Sequence, residues 1–461
     1  MFFVARGFGH ALLSLYVQRW YYGVSDTCMT ATPDIDKAKK IYLIGIGGIG
    51  MSALARFFVQ EKKSVCGSDA TPSVITEGLE TLGIKIQYEQ KEENIDDSTD
   101  LFVYSEAVSD DNPELRAARA TGKPIINYFQ ALGLVANPYY LIAVAGTHGK
   151  TTTTAMLTDI FAAAGNDPTA IIGSLRAKTK SNFRAGKSKY ALVEACEFRR
   201  DFLHLRPDVL VITNIEYEHV DYYSDLADVQ SAFRELIDQV HDTGAIVTDT
   251  NHPNIAPILT EVQVPIIDYH KFFDPTLKLY APGIHTTQNA AAALAVADHE
   301  KISMSTAKNA LEEFTGTWRR FEYKGKVNGA PVYDDYAHHP TEIKKTLAGL
   351  REWYPRHRII AVFQPHTFSR TKELFTDFAR AFKDADEVLV TPIYAAREEN
   401  HSGVNSRELA VKILEYGPHA EYRPSFEETA DVVRSRSNDK AVVIILGAGP
   451  ITEVATSLVG E

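Results

Sequence analysis

From Lys40 onward, short apolar runs alternate with longer segments whose apolar positions recur at helical spacing. IYLIGIG (Ile41 to Gly47) predicts a buried strand, followed by a helix over Met51 to Gln60, a second strand near Ser64 to Gly67 and a third over Asp100 to Tyr104. ANPYY (Ala136 to Tyr140) interrupts the pattern. LIAVAG (Leu141 to Gly146) opens a second series that continues through ALVEA (Ala191 to Ala195), DVLVITNI (Asp208 to Ile215) and GAIVTD (Gly244 to Asp249) to a helix around Ala307 to Phe314. TGTWRR (Thr315 to Arg320) reads as a hinge. Beyond it, VYDDY (Val332 to Tyr336), RIIAVFQP (Arg358 to Pro365), EVLVTPI (Glu387 to Ile393) and AVVIILGAG (Ala441 to Gly449) predict a third set of strands. Strands alternating with helices imply parallel sheets covered on both faces, so the fold class is α/β, in three domains.

The length of 461 residues agrees, being about three times a typical ~150-residue domain. A hydrophobic fraction of 45% and a charged fraction of 23% exclude wholesale disorder. Lys plus Arg 48 against Asp plus Glu 60 leaves −12, which argues against a nucleic-acid partner, although local clusters could still hold small anions. The cysteines, Cys28, Cys66 and Cys196, have neither zinc-ligand nor disulfide-scaffold spacing. No run reaches the ~18 to 20 apolar residues of a membrane span, so no membrane partner and a cytoplasmic location are expected. Met1 to Thr30, with Arg6 and Arg19 around Ala11 to Val17, resembles a signal peptide only weakly and reads as a dispensable or disordered leader, extended to residue 39.

Three signals point to phosphate chemistry. Gly45-Ile-Gly47-Gly48-Ile49-Gly50 lies between a predicted strand and helix, where glycines permit a tight turn and let N–H groups approach a diphosphate; Asp69, ending the next strand, could bind a ribose hydroxyl. NAD, FAD, a UDP-sugar or simple close packing would each produce this spacing. Gly146-Thr147-His148-Gly149-Lys150-Thr151 follows a strand and precedes a helix opening with Thr152. Its N–H groups would cradle a triphosphate, Lys150 would neutralise charge and the Thr151 hydroxyl could ligate Mg²⁺, although Val144 stands where the longer glycine motif begins. Lastly, Glu194 and Glu197, then Glu216, Glu218, His219 and Asp221, follow strand ends that would face a ligand crevice as candidate metal ligands.

With GIGGIGMSALA, GTHGKTTT, TNIEYEHVDYY, RRFE, DDYAHHPTE and FQPHTFSRTKEL in this order, the chain from about Lys40 to Val459 closely resembles the Mur ligase family. The resemblance implies a Rossmann-like UDP-sugar domain at 40–137, a central P-loop ATPase domain at 138–317 and a Rossmann-like, amino-acid-binding domain at 318–461. It implies ATP-dependent joining of L-alanine to the lactyl carboxylate of UDP-N-acetylmuramate, through an acyl phosphate, by a monomer or weak homodimer. Gly47, Gly48, Ile49 and Gly50 would hold the UDP diphosphate, with Asp69 and Ser105 near the nucleotide. Lys150 and Thr151 would contact ATP phosphates and Mg²⁺, and Glu194 and His219 would hold metal. Asn289 and Arg320 would contact adenine and phosphate, Asp335 and Tyr336 would line the cleft, and His366 and Arg370 would receive the amino acid, Arg370 on its carboxylate.

The chain departs from the family pattern in places. Glu194-Ala-Cys196-Glu-Phe-Arg199 replaces EADESD, HTTQN (His285 to Asn289) lacks the first asparagine of HNxxN, and Thr367 replaces a second arginine. Val229 to Leu236 lacks the lysine that sister ligases carbamylate, which favours the alanine-adding step. The rival readings are a tripeptide-recycling ligase of the same family, an NAD-dependent oxidoreductase and a non-catalytic nucleotide-binding protein.

Overall fold

The computed structural model describes residues 33–219, 222–396 and 398–460; most of the leader, and Asp221, lie outside the described residues. The chain forms three sheets. The first has strands β1 (Lys40–Ile44), β2 (Ser64–Ser68), β3 (Lys85–Gln87), β4 (Leu101–Tyr104) and β5 (Ile125–Asn127), all parallel, in the order β3-β2-β1-β4-β5. The second comprises β6 (Tyr140–Ala145), β7 (Thr169–Arg176), β8 (Ser181–Arg184), β9 (Tyr190–Glu194), β10 (Val209–Ile212), β11 (Ala245–Thr248) and β12 (Ile266–Asp268) in the order β12-β11-β10-β6-β9-β7-β8. Only β8 runs antiparallel there. The third holds β13 (Glu322–Val327), β14 (Ala330–Asp335), β15 (Arg358–Phe363), β16 (Glu387–Val390), β17 (His419–Tyr422) and β18 (Ala441–Leu446) in the order β13-β14-β18-β15-β16-β17, parallel except for β13.

The expected central strands form where mainly apolar runs are buried on both faces; β10, β16 and β18 are buried at every position. The short edge strands β3, β5, β12 and β17 were not expected, because their mixed composition carries no such run. Residues 33–39, grouped with the leader in the sequence reading, pack on the first sheet: Ala38 is buried and Lys63 Nζ donates to the carbonyls of Ile35 and Ala38.

Four helices position the site: α1 (Ile49–Gln60), α2 (Lys150–Ala163), α3 (Ile284–His299) and α4 (Pro340–Trp353). The threonine-rich start of α2 is tolerated in a helix because the buried hydroxyls of Thr154 and Thr158 donate to the carbonyls of Lys150 and Thr154, one turn back. Its neighbour α3 is alanine-rich and buried along most of its length, so the two helices approach closely against the second sheet.

One apolar core runs continuously from the first sheet into the second, linking Leu132 and Val135 with Ile171 and Val193, and Asn182 on β8 donates to Ser52 of α1 at 2.9 Å. The third sheet has apolar cores of its own, around Phe363 and Phe378 on one face and Ile360 and Val443 on the other. Among the described residues no helix is long and apolar enough to cross a membrane.

Candidate active site

The loop from Gly146 to Thr151 joins β6 at the middle of the second sheet to α2, so its N–H groups gather at the positive end of that helix. Gly146 (φ 130°) and Gly149 (φ 85°) adopt backbone conformations that disfavour a side chain, and a Cβ on either would collide, with Thr213 and Asn289 respectively. The residues after β10 brace the loop. The N–H of His148 donates to Asn214 Oδ1 at 3.0 Å, Asn214 Nδ2 donates to the His148 carbonyl at 3.0 Å, and the Glu216 N–H donates to Thr147 Oγ1 at 2.8 Å. The TNIE segment thus braces the phosphate loop from within the second unit.

Lys150 Nζ donates to the carbonyls of Gly146 (2.5 Å) and Thr147 (3.0 Å) and pairs with Glu197 at 2.9 Å. Burial alone would lower its pKa, but Glu197 and neighbouring groups hold it above its ordinary value. The same pairing, with His219 at 3.6 Å, keeps the buried Glu197 carboxyl below its usual range despite burial. Thr151 Oγ1 donates to Glu194 Oε2 at 2.8 Å, and the Gly173 N–H donates to the same oxygen at 2.9 Å. Thr151 and Glu194 are thus together, whereas His219 faces Glu197.

A cleft of about 810 Å³, open to solvent, lies between the second and third sheets. His148, Gly149, Thr151, Thr152 and Asn289 line one wall, and Arg320, Asp335 and Glu342 line the other. Asp335 accepts from the N–H groups of Phe321 (2.7 Å) and Ala337 (2.8 Å), and burial pushes its pKa up to about 6 against the pull of Arg320. Tyr336 is not part of this lining; its ring stacks under the guanidinium groups of Arg319 and Arg320. Gly146, Thr147 and Lys150 do not line the cleft either.

Arg370 does not stand free. It reaches Glu218 of the second sheet's unit at 3.2 Å and His366 Nδ1 at 3.1 Å. Burial would raise the Glu218 carboxyl, but His148 and Arg370 hold it at about 2, while burial and Arg370 push His366 down to about 4. Glu216, a candidate metal ligand from sequence, accepts from Thr341 Oγ1 at 2.7 Å and lies 3.5 Å from His148 Nε2. His148, Glu216 and His339 have ligand atoms within 4.8 Å of one another. His339 Nδ1 accepts the Thr341 N–H at 3.3 Å, however, so its neutral ring carries hydrogen on Nε2. His148, though burial would lower it, is held at about 9 by Glu342 and Glu216. The group is an ion-pair cluster in which His148 carries a proton.

The first glycine loop is built differently. Asp69 Oδ2 accepts the Gly47 N–H at 2.8 Å, so the carboxylate expected on a ribose also holds the loop in shape. A Cβ on Gly50 would enter the ring of Tyr128, which fixes close helix packing. Gly48 precedes α1, Ile49 is its first residue, and Ser105 follows β4 with its N–H on the Ile44 carbonyl at 3.0 Å. Arg199, from the divergent Cys196 loop, reaches Glu106 beside Ser105 at 3.4 Å. Arg199 (φ 53°) and Arg200 (φ 61°) both sit in the left-handed region, and Arg200 is clamped by Asp228 and Glu235. Burial pushes the Cys196 thiol up to about 12.

Asn214 and Glu342 stand in TNIEYEHVDYY and DDYAHHPTE without a motif pattern that marks them, and nothing in the spacing of Glu197 pairs it with Lys150. Only folding brings these partners together.

Three family models cover the chain: the Mur ligase family catalytic domain over residues 40–140, the Mur ligase middle domain over 144–273, and the Mur ligase glutamate ligase domain over 319–449. The UDP-N-acetylmuramate–L-alanine ligase of Agathobacter rectalis is 39% identical over 453 residues, covering 92% of this chain and 98% of that protein. That of Acetivibrio thermocellus is 40% identical, over 91% and 96%. Among solved structures, the UDP-N-acetylmuramate-alanine ligase of Thermotoga maritima superposes with a TM-score of 0.77 at 28% identity, covering 91% of this chain and 98% of that one. A murein peptide ligase from Psychrobacter arcticus gives 0.67 at 25%, with the same coverage. The chain belongs to the Mur ligase family.

Proposed function

We propose that this chain is an ATP-dependent ligase that joins L-alanine to the lactyl carboxylate of UDP-N-acetylmuramate, making a peptidoglycan precursor with release of ADP and phosphate. The observation that carries the reading is the likeness to the alanine ligases just described, which extends over more than nine-tenths of the chain. The geometry supports it: Lys150 and Thr151 of the phosphate loop meet the acids Glu197 and Glu194, and Arg370, beside His366, reaches Glu218 in the segment after β10.

A carboxylate resists attack by an amine because it is already anionic and offers no leaving group. Transfer of the γ-phosphoryl group of ATP onto the lactyl oxygen supplies one. Lys150 would leave its Glu197 contact in favour of phosphate oxygens and offset the charge gathering there. The neutral amine of L-alanine then attacks the acyl carbon, and the tetrahedral adduct expels phosphate to leave an amide. Arg370, released from Glu218, would bond both oxygens of the alanine carboxylate and set the amine's approach. The acyl phosphate must be kept from water, which closure of the third unit over the cleft would accomplish.

Mg²⁺ suits the donors here, since a hydroxyl and a carboxylate, Thr151 and Glu194, meet at the start of α2 as hard oxygen ligands. Thr151 and Glu194 would hold it, with His219 nearby, and it would supply positive charge to the phosphates. The glycine loop at Gly47 to Gly50 would hold the UDP diphosphate, with Asp69 and Ser105 beside the nucleotide. The enzyme would work in the cytoplasm as a monomer or weak homodimer.

Phosphate release with UDP-N-acetylmuramate, ATP and Mg²⁺, offering L-alanine, glycine, L-serine and tripeptide in turn, tests the reading. Release with L-alanine is expected; release only with tripeptide would reassign the chain to precursor recycling, and no release with any acceptor would refute the ligase reading.

A further inference from the structure

We propose that Glu342 is a positioning residue for ATP: standing on the third unit, its carboxylate grips the phosphate loop of the second through His148, so that the loop is held in its binding shape only when the two units are drawn together. The inference deepens the ligase reading and rests on it for the identity of the nucleotide.

Glu342 lies in the first turn of α4, partly buried, and donors from both sides of the cleft converge on it. Its Oε1 is 3.2 Å from His148 Nδ1 and 3.8 Å from Arg320. Its Oε2 accepts the N–H groups of His338 (3.1 Å) and His339 (3.3 Å). The adjacent Thr341 hydroxyl donates to Glu216 at 2.7 Å, and Glu216 in turn faces the other nitrogen of His148 at 3.5 Å. Two consecutive residues at the start of α4 therefore hold the third residue of the phosphate loop and the segment that braces it.

A carboxylate lining a triphosphate site is otherwise a liability, since it repels the ligand. It is tolerated where cations neutralise it, and His148 and Arg320 do so from opposite units. Helix capping alone does not require the charge. The Oε2 bonds to His338 and His339 could be made equally well by an amide oxygen, whereas the contacts to His148 and Arg320 draw on the negative charge.

Glu342→Gln separates the two roles. Direct ATP binding, measured by calorimetry on the full chain with Mg²⁺ present, is expected to weaken about tenfold, with UDP-N-acetylmuramate binding within twofold of the parent. His148→Asn should weaken ATP binding similarly, and the Glu342→Gln/His148→Asn pair should be little worse than either single change, because both remove one shared contact. An ATP affinity within twofold of the parent for Glu342→Gln, single losses that multiply in the double variant, or equal weakening of both substrates would overturn the proposal. Because binding is read without turnover, a parent chain that binds ATP but forms no amide would defeat the ligase reading while still deciding the role of Glu342; a parent that binds no ATP would defeat both.

Discussion

The ammonium of Lys150 lies 2.9 Å from the carboxylate of Glu197, and both groups are almost closed off from water. The charge expected to meet phosphate is thus already paired. An isolated buried ammonium would be costly, and Glu197 supplies the counter-charge that lets Lys150 stay ionised at the loop.

Lys150→Ala should therefore lower kcat by a factor of about 1,000 or more, since electrostatic contacts of this type commonly supply that much. It also strands Glu197. Adding Glu197→Gln should recover melting temperature but not activity, which a thermal melt beside a phosphate-release assay would show; parental turnover in Lys150→Ala would remove the lysine from the mechanism.

For Arg370→Ala, the apparent KM for L-alanine should rise about tenfold or more while that for ATP changes little. The arginine also neutralises Glu218, so a second variant, Arg370→Ala/Glu218→Gln, should keep the alanine defect after the stranded charge is gone. Steady-state kinetics in each substrate separate these effects, and equal weakening of ATP and alanine would count against an amino-acid role.

Stability should fall as pH rises from about 6.5 to about 9. His148 is held at about 9 in the folded chain against an ordinary value of 6.5, so its ion pairs contribute fully below 6.5 and are lost as pH passes through the folded value. The contribution is at most a few kcal/mol. Melting curves across that range should show the slope in the parent and a flatter line in His148→Asn. On the acid side, Glu216 and Glu218, both held near 2, give stability that is present above about 4.5 and lost as pH falls through about 2.

Gly50→Ala should raise KM for UDP-N-acetylmuramate and lower the melting temperature, because the new methyl group would enter the Tyr128 ring. Shrinking that neighbour in Gly50→Ala/Tyr128→Ala should restore part of the UDP-substrate binding. A single variant with parental kinetics would show that the ring can yield.

Much of this was legible in the chain. β10 and β18 are uninterrupted apolar runs, and GTHGKT placed a phosphate loop at a strand-to-helix junction because its glycines and lysine have few other uses. The edge strands escaped because three or four residues of mixed character, such as Lys85–Gln87, take strand form only when a neighbour offers hydrogen bonds. Within the site, sequence names which residues carry charge but not which charges meet. Asp69 read as a ribose acceptor and also braces Gly47; Glu218 read as a metal ligand and pairs with Arg370, more than a hundred residues away in the chain. The first pairing follows from β2 lying beside β1 and the second from the docking of the third sheet's unit on the second, neither of which a local pattern encodes.

The contacts that join Glu216 to Thr341, Glu218 to Arg370 and His148 to Glu342 are charged or polar rather than oily. Such a seam rewets when it parts, each group exchanging its partner for water, whereas a greasy joint of equal extent would have to expose apolar surface. Spent nucleotide and finished amide can thus leave through a door that swings on hydration.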